Sequence, residues 1–200
     1  MTTLDDVDLV LGSTSRYRRE LLTRLTGKFR VVSPDVDETP LSNEIPAALA
    51  VRLANSKAAF VAARCPGAVV IGSDQVADLS GSVLGKPGSV DNAFRQLSAC
   101  SGRDVVFHTA LCVIDARSTH LIQFEAIDTT RVTFRKLDAH EISRYIEREM
   151  PLDCAGSFKS EGLGIALFER IETNDPTALI GLPMIALCKL LRDAGISVIA

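Results

Sequence analysis

The chain has 200 residues, 46% hydrophobic and 24% charged, which is ample apolar material for a core and excludes a disordered polymer. Lys and Arg number 22 against 25 Asp and Glu, and the resulting net charge of −3 argues against a nucleic-acid backbone binder. Five scattered cysteines show no CxxC or CxxH spacing, the N-terminus is acidic where a signal peptide is basic, and no apolar run approaches the ~20 residues that span a bilayer. These features predict a soluble cytoplasmic protein without a membrane or nucleic-acid partner, folded as a single domain over residues 1–200 that could be built as two packed lobes.

In chain order, "VDLVLG" reads as a buried strand ending in Gly12. A helix follows in "STSRYRRELLTRL", with Leu21, Leu22 and Leu25 on one face and Ser13 or Ser15 as N-cap. "FRVVS" reads as a second strand, and "PDVDETPLSNEIP" as a polar loop long enough to carry function. Pro46 opens a helix through Cys65, because proline's missing N–H costs nothing in a first turn. "AVVIGSD" reads as a third strand ending at Asp74, and "DLSGSVLGKPGS" as a turn-rich hairpin arm. A helix beginning near Ser89, two long β segments around "ARSTH", and a helix capped by Asp138 come next. The Gly-punctuated stretch 154–172 reads as β-like, and Pro183 opens a last helix. Alternating strands and helices followed by consecutive strands predict an α/β fold with a mixed central β-sheet flanked by helices.

Four segments carry residues suited to chemistry. In "GSTSRYRRE", a strand, a small-residue turn and a helix start form an anion site, because free N–H groups point at the turn. Arg16, Arg18 and Arg19 oppose the helix dipole there, which an anion would offset; the alternative is a solvated basic helix start. In "DVDET", Asp35, Asp37 and Glu38 suit a hard divalent cation or a positioned water, or else a solvated loop. In "GSDQVAD", Asp74 stands where open α/β sheets place ligands, and Lys86 in "LGKP" sits on a constrained turn. In "CAGSFKSEG", Lys159 and Glu161 flank a serine. Carboxylates with lysines and arginines, and no GxSxG nucleophile, make a set suited to metal-assisted attack of water on phosphorus.

Six collinear landmarks, "LGSTSRYRRELL", "SPDVDETP", "RLANSKA", "IGSDQVA", "LGKP" and "CAGSFKSEGLG", resemble the Maf family of nucleoside triphosphate pyrophosphatases over nearly the whole chain. The resemblance implies a Maf/inosine-triphosphatase-like fold with its active site in a cleft between two lobes. It implies hydrolysis of a nucleoside triphosphate to the monophosphate and diphosphate with Mg²⁺ or Mn²⁺, and a possible homodimer. "SDQVA" with "CAGSFKSEG" resembles the house-cleaning subgroup that acts on 7-methyl-GTP. By position, Asp74 matches the catalytic carboxylate that activates water, and Ser13, Arg18, Lys57 and Lys86 match the triphosphate-binding residues. Asp37 and Glu38, with Asp74, match the metal region, and Tyr17, Gln75 and Glu161 fall at positions linked to base specificity. Arg16 stands where the family commonly has Pro. Two other readings stay open: a pyrophosphatase for another non-canonical nucleotide, and a division-linked protein that senses nucleotide without turnover.

Overall fold

The computed structural model describes residues 2–199; Met1 and Ala200, the bounds of the single-domain expectation, lie outside the described residues. Strand β1 (Thr2–Thr3) precedes β2 (Leu9–Gly12), whose Leu9 and Leu11 point to one face of the sheet and Val10 to the other. Helix α1 (Arg16–Leu22) is capped by Ser15, whose side chain accepts from the Arg18 amide. The predicted second strand shrinks to β3 (Arg30–Val31) before the long loop. Helix α2 (Pro46–Ala62) starts on its proline as expected.

Strand β4 (Val69–Leu79) corrects the sequence reading. It does not stop at Asp74 but runs five residues further, because "QVADL" continues the alternation of a strand. After β5 (Ser82–Leu84), Ser89 caps α3 (Val90–Cys100). The long strands β6 (Asp104–Asp115) and β7 (Ile122–Phe134) follow, and Asp138 with Glu141 forms a capping box on α4 (Ala139–Glu149). Residues 154–167, expected to be β-like, coil into two 3-10 turns, and only β8 (Phe168–Glu172) is a strand. The backbone turns at Gly156 and Ser157, both at positive φ and so outside strand geometry. The buried Phe158 ring that follows packs edge-on against Phe107, Phe134 and Phe168. Helix α5 (Met184–Asp193) and β9 (Ile196–Ser197) complete the chain, with β9 parallel to β1.

Seven strands form one mixed sheet in the order β3-β2-β4-β6-β7-β8, with β5 on β4. The β3, β2 and β4 strands are parallel, and β4, β6, β7 and β8 are antiparallel. Helices α1 and α5 cover one face of the parallel half, and α2 covers the other. A third apolar cluster, built on α3, α4 and Phe158, packs around the far halves of β4, β6 and β7. The molecule is therefore a mixed α/β fold with helices on both sides of its sheet.

The detail that matters for function lies on one edge of β4. Residues 69–72 pair there with β2, which stops at Gly12, and residues 77–79 pair with β5. Between them, Ser73 to Val76 have no strand partner on that edge. The sheet opens at "SDQV", at the boundary between the two groups of helices.

Candidate active site

The opening is a cleft of about 690 Å³. Its walls come from the turn after β2, the loop carrying Glu38, α2, the middle of β4, the turn after β5, the 153–161 segment, and residues 179–181. Because the neighbouring strand has ended, side chains on both faces of β4 reach it. Asp74 turns toward α2, whereas Ser73 and Gln75 turn toward residues 178–181.

On the α2 side, Lys57 is 6% exposed and Asp74 7%. A helix lysine is ordinarily solvent-facing, but this one is buried with its ammonium 2.5 Å from Asp74 Oδ1 and 2.5 Å from Glu38 Oε1. One cation thus holds two carboxylates, whose nearest oxygens lie no farther apart than twice that distance. Asp74 Oδ2 accepts no hydrogen bond among the described residues, which leaves it open to the cleft. Burial pushes Glu38 upward, but the Lys57 hydrogen bond and the Lys57, Lys86 and Arg18 charges outweigh it and hold Glu38 below the usual range.

On the other side, Arg18 Nε donates to Gly181 O (2.8 Å) and its NH1 to Ser13 Oγ (3.2 Å). Desolvation lowers the Arg18 pKa while the Asp74 and Glu38 charges raise it; a guanidinium starts high enough to remain cationic. Lys86 lies exposed on the "GKP" turn at the cleft wall. Arg18, Lys57 and Lys86 therefore bring three positive charges to one opening, around two carboxylates.

The rim holds Tyr17, Cys154 and Glu161. The Arg16 guanidinium lies 4.6 Å from the Tyr17 ring centre and donates to its hydroxyl (2.6 Å), so one ring face is already taken by a cation. Burial pushes the Cys154 thiol up to about 11, which keeps it protonated at neutral pH and unsuited to nucleophilic work. Gln75 Nε2 donates to Thr109 Oγ1 (3.0 Å), Ala178 O (2.9 Å) and Leu179 O (3.1 Å).

The structure brings Ser13, Tyr17, Arg18, Glu38, Lys57, Asp74, Gln75, Lys86 and Glu161 to this one cleft. Asp37 is not among the lining residues: its Oδ1 accepts from the Thr39 amide and closes a local turn. Lys159 also turns away, its ammonium capping the end of α4 at Glu149 O (2.5 Å). Sequence reasoning missed the 178–181 turn, which acts through backbone carbonyls that no residue type advertises. It also missed the apolar lining of Leu53, Val76, Phe107, Phe158 and Leu179, although the last of these sits in the turn-rich "NDPTALIGLP", a detectable sign of an ordered loop.

An α/β protein with a cation-lined cleft at an interrupted sheet edge belongs to the class that binds anionic small molecules. Comparison narrows the class: the Maf-like protein family matches residues 8–194, and the chain belongs to that family. A protein of Xanthomonas oryzae pv. oryzae (strain MAFF 311018) named 7-methyl-GTP pyrophosphatase is 58% identical over 94% of this chain and 96% of its own. Proteins of the same name from Polaromonas sp. (strain JS666 / ATCC BAA-500) and Cupriavidus metallidurans are 56% and 55% identical, over 96% and 94% of this chain and 87% and 93% of theirs. A solved structure, the Staphylococcus aureus Ham1 protein, covers 94% of this chain and 99% of its own at 12% identity with a TM-score of 0.46. Among the described residues, no helix is long and apolar enough to cross a membrane.

Proposed function

We propose that this chain hydrolyses 7-methyl-GTP to the monophosphate and diphosphate. The observation that carries the reading is the buried Lys57–Asp74 pair facing Arg18 and Lys86 across one cleft. The shared name of relatives 55–58% identical to it, 7-methyl-GTP pyrophosphatase, supports the choice of substrate.

In this reading Arg18, Lys57 and Lys86, with the Ser13 hydroxyl, receive the triphosphate. Asp74 Oδ2 takes a proton from a water as that water's oxygen attacks phosphorus. The P–O bond between the α and β phosphates breaks, one water is consumed, and the diphosphate leaves. Lys57 keeps the Asp74 carboxylate from swinging, since its ammonium is itself buried and held from two sides.

A divalent cation fits the donor set. Among the described residues no three acidic, His or Cys side chains gather, but Glu38 and Asp74 offer two hard oxygens. Mg²⁺ and Mn²⁺ are commonly held by one or two carboxylates, with waters and substrate phosphates completing the octahedron. Glu38 and Asp74 would hold it, and when bound it neutralises charge on the phosphate oxygens.

N7-methylation gives the guanine ring a positive charge. The exposed Glu161 carboxylate at the rim complements that charge, and the Tyr17 face not covered by Arg16 can receive the ring. Gln75 presents its remaining amide oxygen to the N–H edge of the base.

The test is a panel of 7-methyl-GTP, GTP, ITP, dTTP and UTP, each with Mg²⁺ and Mn²⁺, read by diphosphate release. The expected result is highest kcat/KM for 7-methyl-GTP, with Asp74→Asn lowering kcat by about 100-fold or more while nucleotide binding persists. That variant should fold, because Lys57 retains Glu38 as a partner and is not left as an uncompensated buried charge. A wild-type protein that binds nucleotide but turns over none would identify a sensor, and highest kcat/KM for another nucleotide would identify a different pyrophosphatase.

A further inference from the structure

Outside the cleft lining, Asp175 is buried (3% exposed) and, among the described residues, forms no ion pair. A buried carboxylate without a cation is costly, so its hydrogen bonds matter. Oδ1 accepts from the Thr177 amide (3.0 Å) and the Thr177 hydroxyl (2.6 Å). Oδ2 accepts from the Ile185 amide (2.6 Å) in the first turn of α5. Thr177 Oγ1 in turn accepts from the Met184 amide (2.9 Å). Asp175 therefore staples both ends of the turn between Thr177 and α5.

That turn is what Gln75 and Arg18 lean on. Ala178 O and Leu179 O accept from the Gln75 amide, and Gly181 O accepts from Arg18 Nε and from Ser73 Oγ (3.1 Å). Carbonyls can only accept, so the turn dictates which end of the Gln75 amide faces it. The NH₂ group is consumed and Oε1 is left for the cleft. The same turn fixes the Arg18 fork by its Nε, so one four-residue segment sets the spacing between the base end and the phosphate end of the site.

We infer that Asp175 is a positioning residue for the reaction, acting through Thr177 and the carbonyls of residues 178–181 to orient Gln75 and Arg18. This rests on the proposed nucleotide site, but its first readout does not. Asp175→Asn sets an N–H against the N–H donors it must accept from. Thr177→Val deletes the hydroxyl at nearly constant shape, and Thr177→Ser restores it.

The experiment measures hydrogen exchange of the Gln75 side-chain amide by NMR in nucleotide-free protein, assigned by its loss in Gln75→Leu. It also measures kcat and KM for 7-methyl-GTP and the melting temperature. Asp175→Asn and Thr177→Val are expected to speed Gln75 exchange roughly fivefold or more, and Thr177→Ser to stay near wild type. KM for 7-methyl-GTP is expected to rise, and kcat/KM to fall about tenfold or more, in the first two only. Lowered melting temperature with unchanged Gln75 exchange and unchanged kinetics overturns the inference and leaves Asp175 a stability residue. If Asp175→Asn does not fold, the Thr177→Val and Thr177→Ser pair decides. If the wild type turns over no nucleotide, the functional reading fails while Gln75 exchange still decides the positioning role.

Discussion

Gly72 stands two residues before Asp74, where an added Cβ would lie 2.5 Å from Ala54 O, 2.7 Å from the Ala58 amide nitrogen and 2.8 Å from Ala58 Cβ. Two of those atoms are backbone and cannot rotate away, so the missing side chain is what lets α2 lie against β4. Lys57 sits on α2 between these contacts, and its reach to Asp74 depends on the same approach. Gly72→Ala should therefore push the helix outward at a cost near the upper end of the ~1–3 kcal/mol typical of overpacking. For a chain of this size that corresponds to a fall in melting temperature of roughly 6–12 °C. An unaltered melting temperature would show that the helix adjusts freely. At this scale the sequence was informative where residue chemistry is local: "GSDQ" displays its carboxylate directly, and "LGKP" its turn and its charge. It was uninformative where burial inverts habit, as at Lys57, or where a carbonyl does the binding, as at Gly181, since any residue supplies a carbonyl.

Among the elements, the loop 34–45 brings Glu38 to the cleft, although little of it is regular structure. What anchors it is Glu44, which accepts from Arg52 Nε (2.6 Å) and NH2 (2.8 Å) on α2 and from the Leu41 amide (3.0 Å). Arg52 NH2 also donates to Thr39 O (3.0 Å), so α2 grips the loop one residue beyond Glu38. The Arg52 hydrogen bonds, then that of Leu41, bring the Glu44 pKa down to about 2. A carboxylate depressed on folding contributes stability above its unfolded value of about 4.3, and loses it as pH falls toward the folded value. Glu44→Gln should thus lower the melting temperature at pH 7, and the gap to wild type should close between about pH 4 and pH 2. A pH-independent gap, followed by thermal melts across that range, would assign the loss to shape instead of charge. The sequence marked this loop as a candidate by its length and acids but gave no sign of its anchor, because Glu44 and Arg52 are an ordinary pair until the helix brings them together.

For the whole molecule, the mixed sheet was legible from the order of strand and helix patterns, while the opening in β4 was not. Polar residues within "SDQV" read as a strand's end because the apolar run breaks there. In the structure the strand continues and its neighbour ends, a distinction that depends on where Gly12 stops in space. The same asymmetry has a consequence in time. β6 and β7 are joined by a short turn and pair along their full lengths, so their contacts close small loops. The pairing of Leu9 with Val69 must instead close a span of nearly sixty residues, and large loops are slower to close. Amides of β6 and β7 should gain protection before those of β2 during refolding, as pulsed hydrogen exchange would record; simultaneous protection would contradict this order. Ser13 and Arg18 arrive with the late strand, whereas Asp74 and Gln75 ride on β4, whose pairing with β6 (Asp74 opposite Ala110) closes a shorter span than that of Leu9 with Val69. By this order the cleft is a seam between a half that folds first and a half that folds last, and partly refolded chains should hold the β6–β7 part of the sheet well before they recover any affinity for nucleotide.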